Sequence, residues 1–476
     1  MKKRVLFLIG YMISQSFLHA QTEIWGVTNG DGVSNFGFIF KTDISGNNFS
    51  IQKKFTSELE GKSPQLLMQS TDGMLYGVTS AGGANGTGVL YQYDPINNVF
   101  SKKWDFIDSL GATPAGTLTE GNDGMLYGVT RYGGAKGKGV IYMFNPSTSV
   151  YTKKMDFDTS KTSIENPSVS LVKAADGTFY GAGNYWLPSG DLTGKMYNYD
   201  PATSKFTKKA WLPVAPNYDM LRTSNNQLYF GVQPYTYVKS VINYNPSTDI
   251  SNFFYIFGSS FGPRVSSSLV QTSDTILYGM LFDGNLSAKY PHIIYKLNLK
   301  DTVLQNKIAL DTVANIKSNS TNLVFASDKK LFGLLFDYSV SLLSENKAVL
   351  FQYDLVTGKY TEKQNFNLTD DSTNYGNTGS LTLVNKKVTG ISKKDNAVTK
   401  IAAYPNPTTG LITLTLDQQK QDVSVKVINI LGKIAVPVTK IENNTFTIDI
   451  TNQPTGIYFL EVTENQKLYR VKVVKQ

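Results

Sequence analysis

The sequence predicts an all-β protein: a seven-bladed β-propeller of four-stranded antiparallel blades, closed by a C-terminal strand and followed by a small Ig-like β-sandwich. Three observations carry that expectation. The 476 residues include 28 Tyr, 26 Phe and 40 Gly without long helical periods, a mix suited to half-buried strands joined by tight turns. An aromatic-glycine pair returns seven times, at Trp25-Gly26, Tyr76-Gly77, Tyr127-Gly128, Tyr180-Gly181, Phe230-Gly231, Tyr278-Gly279 and Phe332-Gly333, in steps of 48 to 54 residues. From residue 403 the text changes to short alternating strands such as LITLTL, where Ile412, Leu414 and Leu416 share one face.

The N-terminus stands apart from this pattern. Lys2, Lys3 and Arg4 precede the apolar run VLFLIGYMI, and Ala20 offers a small residue before a cut at Gln21, so residues 1–20 read as a secretory signal peptide. The run is short for a membrane span, and no later stretch could cross, so the mature chain is expected to lack a transmembrane segment. Residues 21–392 hold the repeats, 393–402 form a polar linker, and 403–476 make the second domain. Removing the leader takes the formal charge from +9 to +6, spread thinly, which does not indicate nucleic-acid binding. With no cysteine, thiol nucleophiles and thiolate metal sites are excluded, and His292 alone would remain in the mature chain. No metal or cofactor is expected, and the protein is read as a monomer.

Each repeat reads as four strands. In the clearest copy PQLLMQS leads through the Asp72-Gly73 hairpin signal into MLYGVTS; the glycine-rich GGANGTG follows, then VLYQYDP, a turn at Asn97-Asn98, and FSKKWDF. A phosphate cradle would need a helix after its glycines to supply amide donors. Here a strand follows, so the loop reads as a link. The first copy begins at EIWGVT without a preceding strand, and SLTLVNKKVTGIS at 380–392 follows the last copy. The tail is therefore expected to complete the first blade and seal the ring, although its second half would compete with EIWGVT for one place. Lysine pairs in IQKKF, SKKWDF, YTKKMDF and FTKKAWL fall on the outermost strand, where they guard a free edge or, alternatively, form a basic belt for anionic glycans.

DGMLYGVTSAGG with VLYQYDP, at Asp72–Pro95, and its copy at Asp123–Pro146 resemble the GloVer-type tandem repeats of bacterial exported proteins. That resemblance implies an exported propeller-like array. The C-terminal pieces YPNPTTG, VKVINILGK, DITNQPTGIYFLEV and YRVKVVKQ resemble, in order, the type-A C-terminal sorting domain of the type IX secretion system of Bacteroidetes. The residues carrying this likeness are Tyr404, Pro405, Asn406, Pro407, Gly410, Gly432, Gly456 and Tyr458. It implies the type IX machinery as partner, export across the outer membrane, removal of the domain near the linker, and a secreted or cell-surface destination.

Asp94, Asn145, Asp200, Asn245 and Asp354 recur after the third strand and read as turn residues, since their side chains bond nearby backbone. A site must come from departures between copies. Arg131 and Tyr132, with Lys136 and Lys138, differ from the preceding copy; the expanded stretch GNYWLPSGDLTGK adds Tyr185, Trp186 and Asp191; QPYTYVKS adds Tyr235 and Tyr237. Arg131, Tyr132, Tyr185, Trp186, Tyr235 and Tyr237 are the candidate binding set, a loop platform for a surface glycan or protein ligand; the alternative is that the rings pack on their neighbours. His292, at the start of the strand IIYKL, is read as capping or packing rather than acting as a base. An enzyme acting on carbohydrate could use Asp191 and Asp283 as a carboxylate pair. Non-catalytic recognition is the expected role, with that enzyme and a purely structural surface protein as alternatives.

Overall fold

The structure is a computed structural model and describes residues 22–28, 36–158, 164–167, 169–187, 189, 192–213, 216, 218–232, 240–257, 264–282, 292–301, 303–309, 322–326, 328–336, 346–368, 379–385, 402–415, 423–429, 434–436, 439–441, 445–464 and 467–476. The chain forms two compact units, Met1–Lys387 and Val388–Gln476. Among the described residues every regular element is a strand apart from a single 3-10 turn, Glu58–Glu60. Ala20, Gln21 and residues 393–401 of the expected linker 393–402 lie outside the described residues; Ala402 opens the strand Ala402–Tyr404.

Seven antiparallel sheets of four or five strands make up the described part of the first unit. The third is the plainest: Ala112–Glu120, Leu126–Tyr132, Val140–Asn145 and Val150–Asp156 pair in chain order. The second and fourth to seventh sheets repeat this order, while the first does not. It joins Ser50–Lys54, Phe38–Asp43 and Thr22–Thr28 to Gly379–Asn385, a strand from the far end of the unit, with Trp25 opposite Thr382 and Val27 opposite Ser380. Residues 386–392, the second half of the tail, lie outside the described residues.

The recurrent aromatic-glycine pair has a packing cause. Gly77, Gly128, Gly181, Gly279 and Gly333 each sit opposite an aromatic residue of the next strand, namely Tyr91, Tyr142, Tyr197, Tyr295 and Phe351. Those rings fold across the glycines, and a Cβ at Gly128 would lie 2.4 Å from the Tyr142 hydroxyl. A second glycine joins successive sheets. Gly37, Gly88 and Gly139, all at positive φ, hold backbone against which Pro64, Pro114 and Pro167 of the following sheet pack. A side chain there would meet both the proline ring and the carbonyl of Thr28, Thr79 or Thr130.

Apolar cores lie between successive sheets. Trp25, Val27 and Phe55 of the first pack with Leu75, Tyr91 and Tyr93 of the second. Equivalent clusters join each later pair up to the sixth and seventh. Phe38 and Phe40 of the first sheet also share a core with Phe332, Leu350 and Phe366 of the seventh, the Phe40 and Phe366 rings lying 5.4 Å apart. The first sheet is thus packed against both the second and the last. Full burial of one such ring stabilises by about 2–3 kcal/mol, so this contact is substantial. Polar links also run between sheets: Thr117 N–H donates to Ser170 Oγ at 2.7 Å, and Ser170 N–H to Asp219 at 2.7 Å.

Hairpin details differ from the two-residue turn expected at Asp72-Gly73. Ser70 and Met74 flank a three-residue turn closed by Ser70 N–H to Met74 O at 3.0 Å. Gly73 takes the left-handed place at φ +89°, and the Asp72 carboxylate caps Met74 N–H at 2.8 Å. The five recurrent Asp and Asn residues do hold turns: each accepts a backbone N–H two residues on, Asp354 from Val356 at 2.8 Å, for example. Bonds from Thr357 and Val356 keep the Asp354 carboxyl below the usual aspartate value.

The second unit has two four-stranded sheets. One orders Ala402–Tyr404, Leu411–Thr415, Thr445–Asp449 and Thr439–Ile441; the other orders Ile434–Val436, Val423–Asn429, Gly456–Glu464 and Lys467–Lys475. Ile412, Leu414, Phe446 and Ile448 from the first meet Val427, Tyr458, Leu460 and Val473 from the second in one core. The YPNPTTG entry is tied to the final strand: Asn406 Nδ2 donates to Lys472 O at 2.6 Å, and Val474 N–H donates to Asn406 Oδ1 at 2.9 Å. Tyr404 is exposed, and the peptides before Pro405 and Pro407 are cis. Gly410 is needed for space, since a Cβ would lie 2.3 Å from Thr451 Oγ1. The Lys475 ammonium is buried and donates to Thr451 O at 2.6 Å and to Gln453 O. Tyr458 donates to Pro454 O at 2.7 Å, Gly456 opens its strand, and Gly432 lies outside the described residues. Among the described residues no helix is long and apolar enough to cross a membrane.

Candidate functional site

The second and third sheets define what an unmodified copy does with its glycine-rich loop. Asp105 Oδ1 accepts Ala84 N–H at 2.9 Å, and the Lys102 ammonium lies 2.9 Å from Asp105 Oδ2 and 3.1 Å from Leu59 O. The third sheet repeats the arrangement with Asp156, Ala135 N–H at 2.7 Å, Lys153 at 3.0 Å and Ser109 O at 3.3 Å. Asn85 and Thr87 add bonds to Phe106 O. The loop is fastened to its own sheet by a lysine-aspartate clamp, as befits a link. The first lysine of each of these pairs therefore has a structural partner beyond the edge-guarding role expected of it.

The fourth sheet breaks the clamp. Strand register places Asp105 opposite Val89 and Asp156 opposite Val140; at the same place in the fourth sheet Trp211 stands opposite Lys195. Val89 and Val140 are wholly buried. The lysine that replaces them carries its ammonium 3.9 Å from the Trp211 ring centroid and 5.5 Å from that of Tyr185. Tyr185 and Trp211 meet edge to face at 4.3 Å. Cation–π contacts of this kind contribute about 0.5–2 kcal/mol and fix the rings and the ammonium together. The Trp211 backbone is anchored in turn, its carbonyl accepting Ser251 Oγ at 2.7 Å. Trp211 nevertheless remains 46% exposed. Partial burial, with Lys208 nearby, holds the Lys195 ammonium below the usual lysine value.

Tyr185 and Trp186 were expected on a loop. They are instead the last two residues of the strand Phe179–Trp186, paired with Thr193 and Leu192, because the expanded stretch lengthens the hairpin. Adjacent strand residues point to opposite faces. Trp186 accordingly has a different neighbourhood: its indole N–H donates to Glu165 Oε1 at 2.6 Å, while Glu165 Oε2 pairs with Lys138 at 2.5 Å. The buried Glu165 carboxylate thus connects the third and fourth sheets and holds an indole that is 54% exposed.

Arg131 and Tyr132 end the strand Leu126–Tyr132 with both side chains exposed, Tyr132 at 48%. Tyr132 occupies in the third copy the place of Tyr185 in the fourth. Tyr235, Tyr237, Asp191 and Asp283 lie outside the described residues. His292 begins the strand His292–Asn298, fully buried with its ring 5.3 Å from Phe282, so it packs in the sheet. Lys195 and Trp211 were missed from the sequence. The signal was present in aligned text, GKMY against GVLY and GVIY, and KKAWL against KKWDF and KKMDF.

Residues 13–233 match the Gloeobacter/Verrucomicrobia repeat, and residues 402–476 match the secretion system C-terminal sorting domain. The repeat match ends within the fifth sheet, although the aromatic-glycine marker runs on through the sixth and seventh. No curated protein matches the chain. Among solved structures, TolB from Acinetobacter baumannii is similar at 12% identity and TM-score 0.39, covering 59% of this chain and 62% of that one. A 6-phosphogluconolactonase candidate from Bacteroides uniformis aligns at 12% identity and TM-score 0.49, covering 77% and 100%. A fungal alcohol oxidase in complex with copper aligns at 14% identity and TM-score 0.41, covering 87% and 97%.

Proposed function

We propose that this chain, which carries Gloeobacter/Verrucomicrobia repeats ahead of a type IX secretion sorting domain, is a seven-bladed propeller that recognises a ligand without chemistry outside the cell. The sorting domain directs the protein to the cell surface or to secretion. Signal-peptide removal after Ala20 and release of the sorting domain within 393–402 complete the proposed maturation. The propeller reading is supported by the seven sheets, by the core shared between the first and last of them, and by the tail strand within the first.

One observation carries the recognition reading. Of four tryptophans, two lie exposed on the fourth sheet, Trp186 fastened by Glu165 and Trp211 under Lys195. Each gives one face of the sheet a large ring held in place yet left open to solvent, and such rings suit binding because they gain contact area at little entropic cost. A glycan array probed with the mature protein, run beside turnover assays on the same glycans and capture of envelope proteins, tests it. Binding that depends on Trp186 or Trp211 without product formation is expected. Product formation abolished by Asp191→Asn or Asp283→Asn would replace this reading with an enzyme. Loss of neither glycan nor protein binding in the tryptophan variants would remove the surface from consideration.

A further inference from the structure

We propose that the fourth sheet binds the carboxylate-bearing sugar of an acidic polysaccharide, a uronic acid unit, with its carboxylate on Lys195 and its pyranose C–H groups against the exposed edge of Trp211. The proposal rests on the recognition reading above and names the ligand class for that site.

Three observations converge on it. First, the second and third copies place a carboxylate at this register position, Asp105 and Asp156, and pair it with a lysine at 2.9 and 3.0 Å. The fourth copy keeps the corresponding lysine, Lys208, adds Lys195, and substitutes Trp211 for the carboxylate. Positive charge has risen where negative charge was removed. Second, among the described residues no carboxylate pairs with Lys195; its neighbours are the two rings. An ammonium held partly out of water beside another cation gains from an incoming anion, and a carboxylate restores the balance that the second and third copies build in. Third, Trp211 is both exposed and anchored through its backbone. Lys195 covers one face of the indole, so a sugar whose carboxylate meets that ammonium sets its C–H groups against the exposed indole edge next to it. An acidic peptide would satisfy Lys195 but would leave the indole without a purpose.

The test uses the mature full-length protein with tetragalacturonate and a glucuronate-containing tetrasaccharide, each compared with its carboxyl-reduced counterpart by calorimetry and tryptophan fluorescence. The acidic forms are expected to bind at least about tenfold more tightly than the reduced ones, the difference one charge-assisted contact provides. Lys195→Met should cost about tenfold toward the acidic forms only, and Trp211→Ala should weaken both. The double variant Lys195→Val/Trp211→Asp restores the residues of the second and third copies, a pairing this chain already folds. It should lose binding while keeping its melting temperature. Equal affinity for acidic and reduced forms, undiminished binding by the double variant, or no binding of either acidic probe would overturn the proposal. Glycans still retained on the array by the double variant would leave recognition standing at another place. A polyglutamate peptide that displaces tetragalacturonate and depends on Lys195 but not on Trp211 would overturn the sugar in favour of a peptide.

Discussion

Gly128→Ala tests whether the aromatic-glycine marker is a packing rule. The added methyl would lie 2.4 Å from Tyr142 Oη, 2.5 Å from Cζ and 3.0 Å from Cε1. The ring has little room to retreat, being fully buried with the rings of Phe106 and Tyr151 each 5.2 Å away. Overpacking of this kind costs about 1–3 kcal/mol, partly offset by about 0.5–1 kcal/mol from the stiffer unfolded chain. The net expectation is a loss of about 1–2 kcal/mol, read as a lower urea midpoint with unchanged slope. Tyr142→Phe should not rescue the variant, because Cζ remains in the way. Tyr142→Val should, so that the two substitutions together cost less than their sum. Gly73→Ala is the contrasting control: nothing lies within 4 Å of its Cβ, and its cost comes from φ +89° alone, with no coupling to any ring. A fully stable Gly128→Ala protein, or additive costs with Tyr142→Val, would refute the packing explanation.

Other outcomes follow from the same structure. Burial pushes the phenols of Tyr91, Tyr142, Tyr197 and Tyr295 far above their usual value. The unfolded chain releases those protons near pH 10, so stability should be unaffected below that pH. Above it, stability should fall by about 1.4 kcal/mol per unit for each tyrosine. Phenolate absorbance should therefore appear together with unfolding; smooth titration near pH 10 with the fold intact would contradict this. In the second unit, Lys475→Met removes two charge-assisted bonds to Thr451 O and Gln453 O and should cost about 2–3 kcal/mol. Export should drop with it, measured as the fraction of protein reaching medium and cell surface; undiminished export would show that this anchor is dispensable for recognition by the machinery.

Much of the repeat region was legible because its cause is local and periodic. A glycine that seats a ring, a glycine that seats the next proline and a turn aspartate each impose a residue type at a fixed place, so Tyr76-Gly77, Gly88 and Asp94 recur in text. The candidate site was harder to read. Tyr185 and Trp186 stood out as large rings, but their strand placement depends on how far the hairpin zips, which no single residue declares. Lys195 looked like one lysine among many, and Trp211 like one aromatic in an outer strand. Their meaning appears only across the ladder, where the pair displaces a buried valine and a clamping aspartate. The lysine pairs were legible in part: they lie on edge strands, but Lys102 and Lys153 also reach an aspartate and a backbone carbonyl that sequence proximity alone does not bring together.

The ring itself is most directly tested by a disulfide across its proposed seal. Thr22 and Asn385 are register partners whose side chains bond at 2.8 Å, although 363 residues separate them. The natural chain has no cysteine, so Thr22→Cys/Asn385→Cys introduces a single possible pair. Mild oxidation of the folded protein should close this link in high yield, shift its mobility on denaturing gels, and raise stability by up to about 5 kcal/mol. Failure of the two thiols to join until the protein is unfolded would contradict the sealed ring.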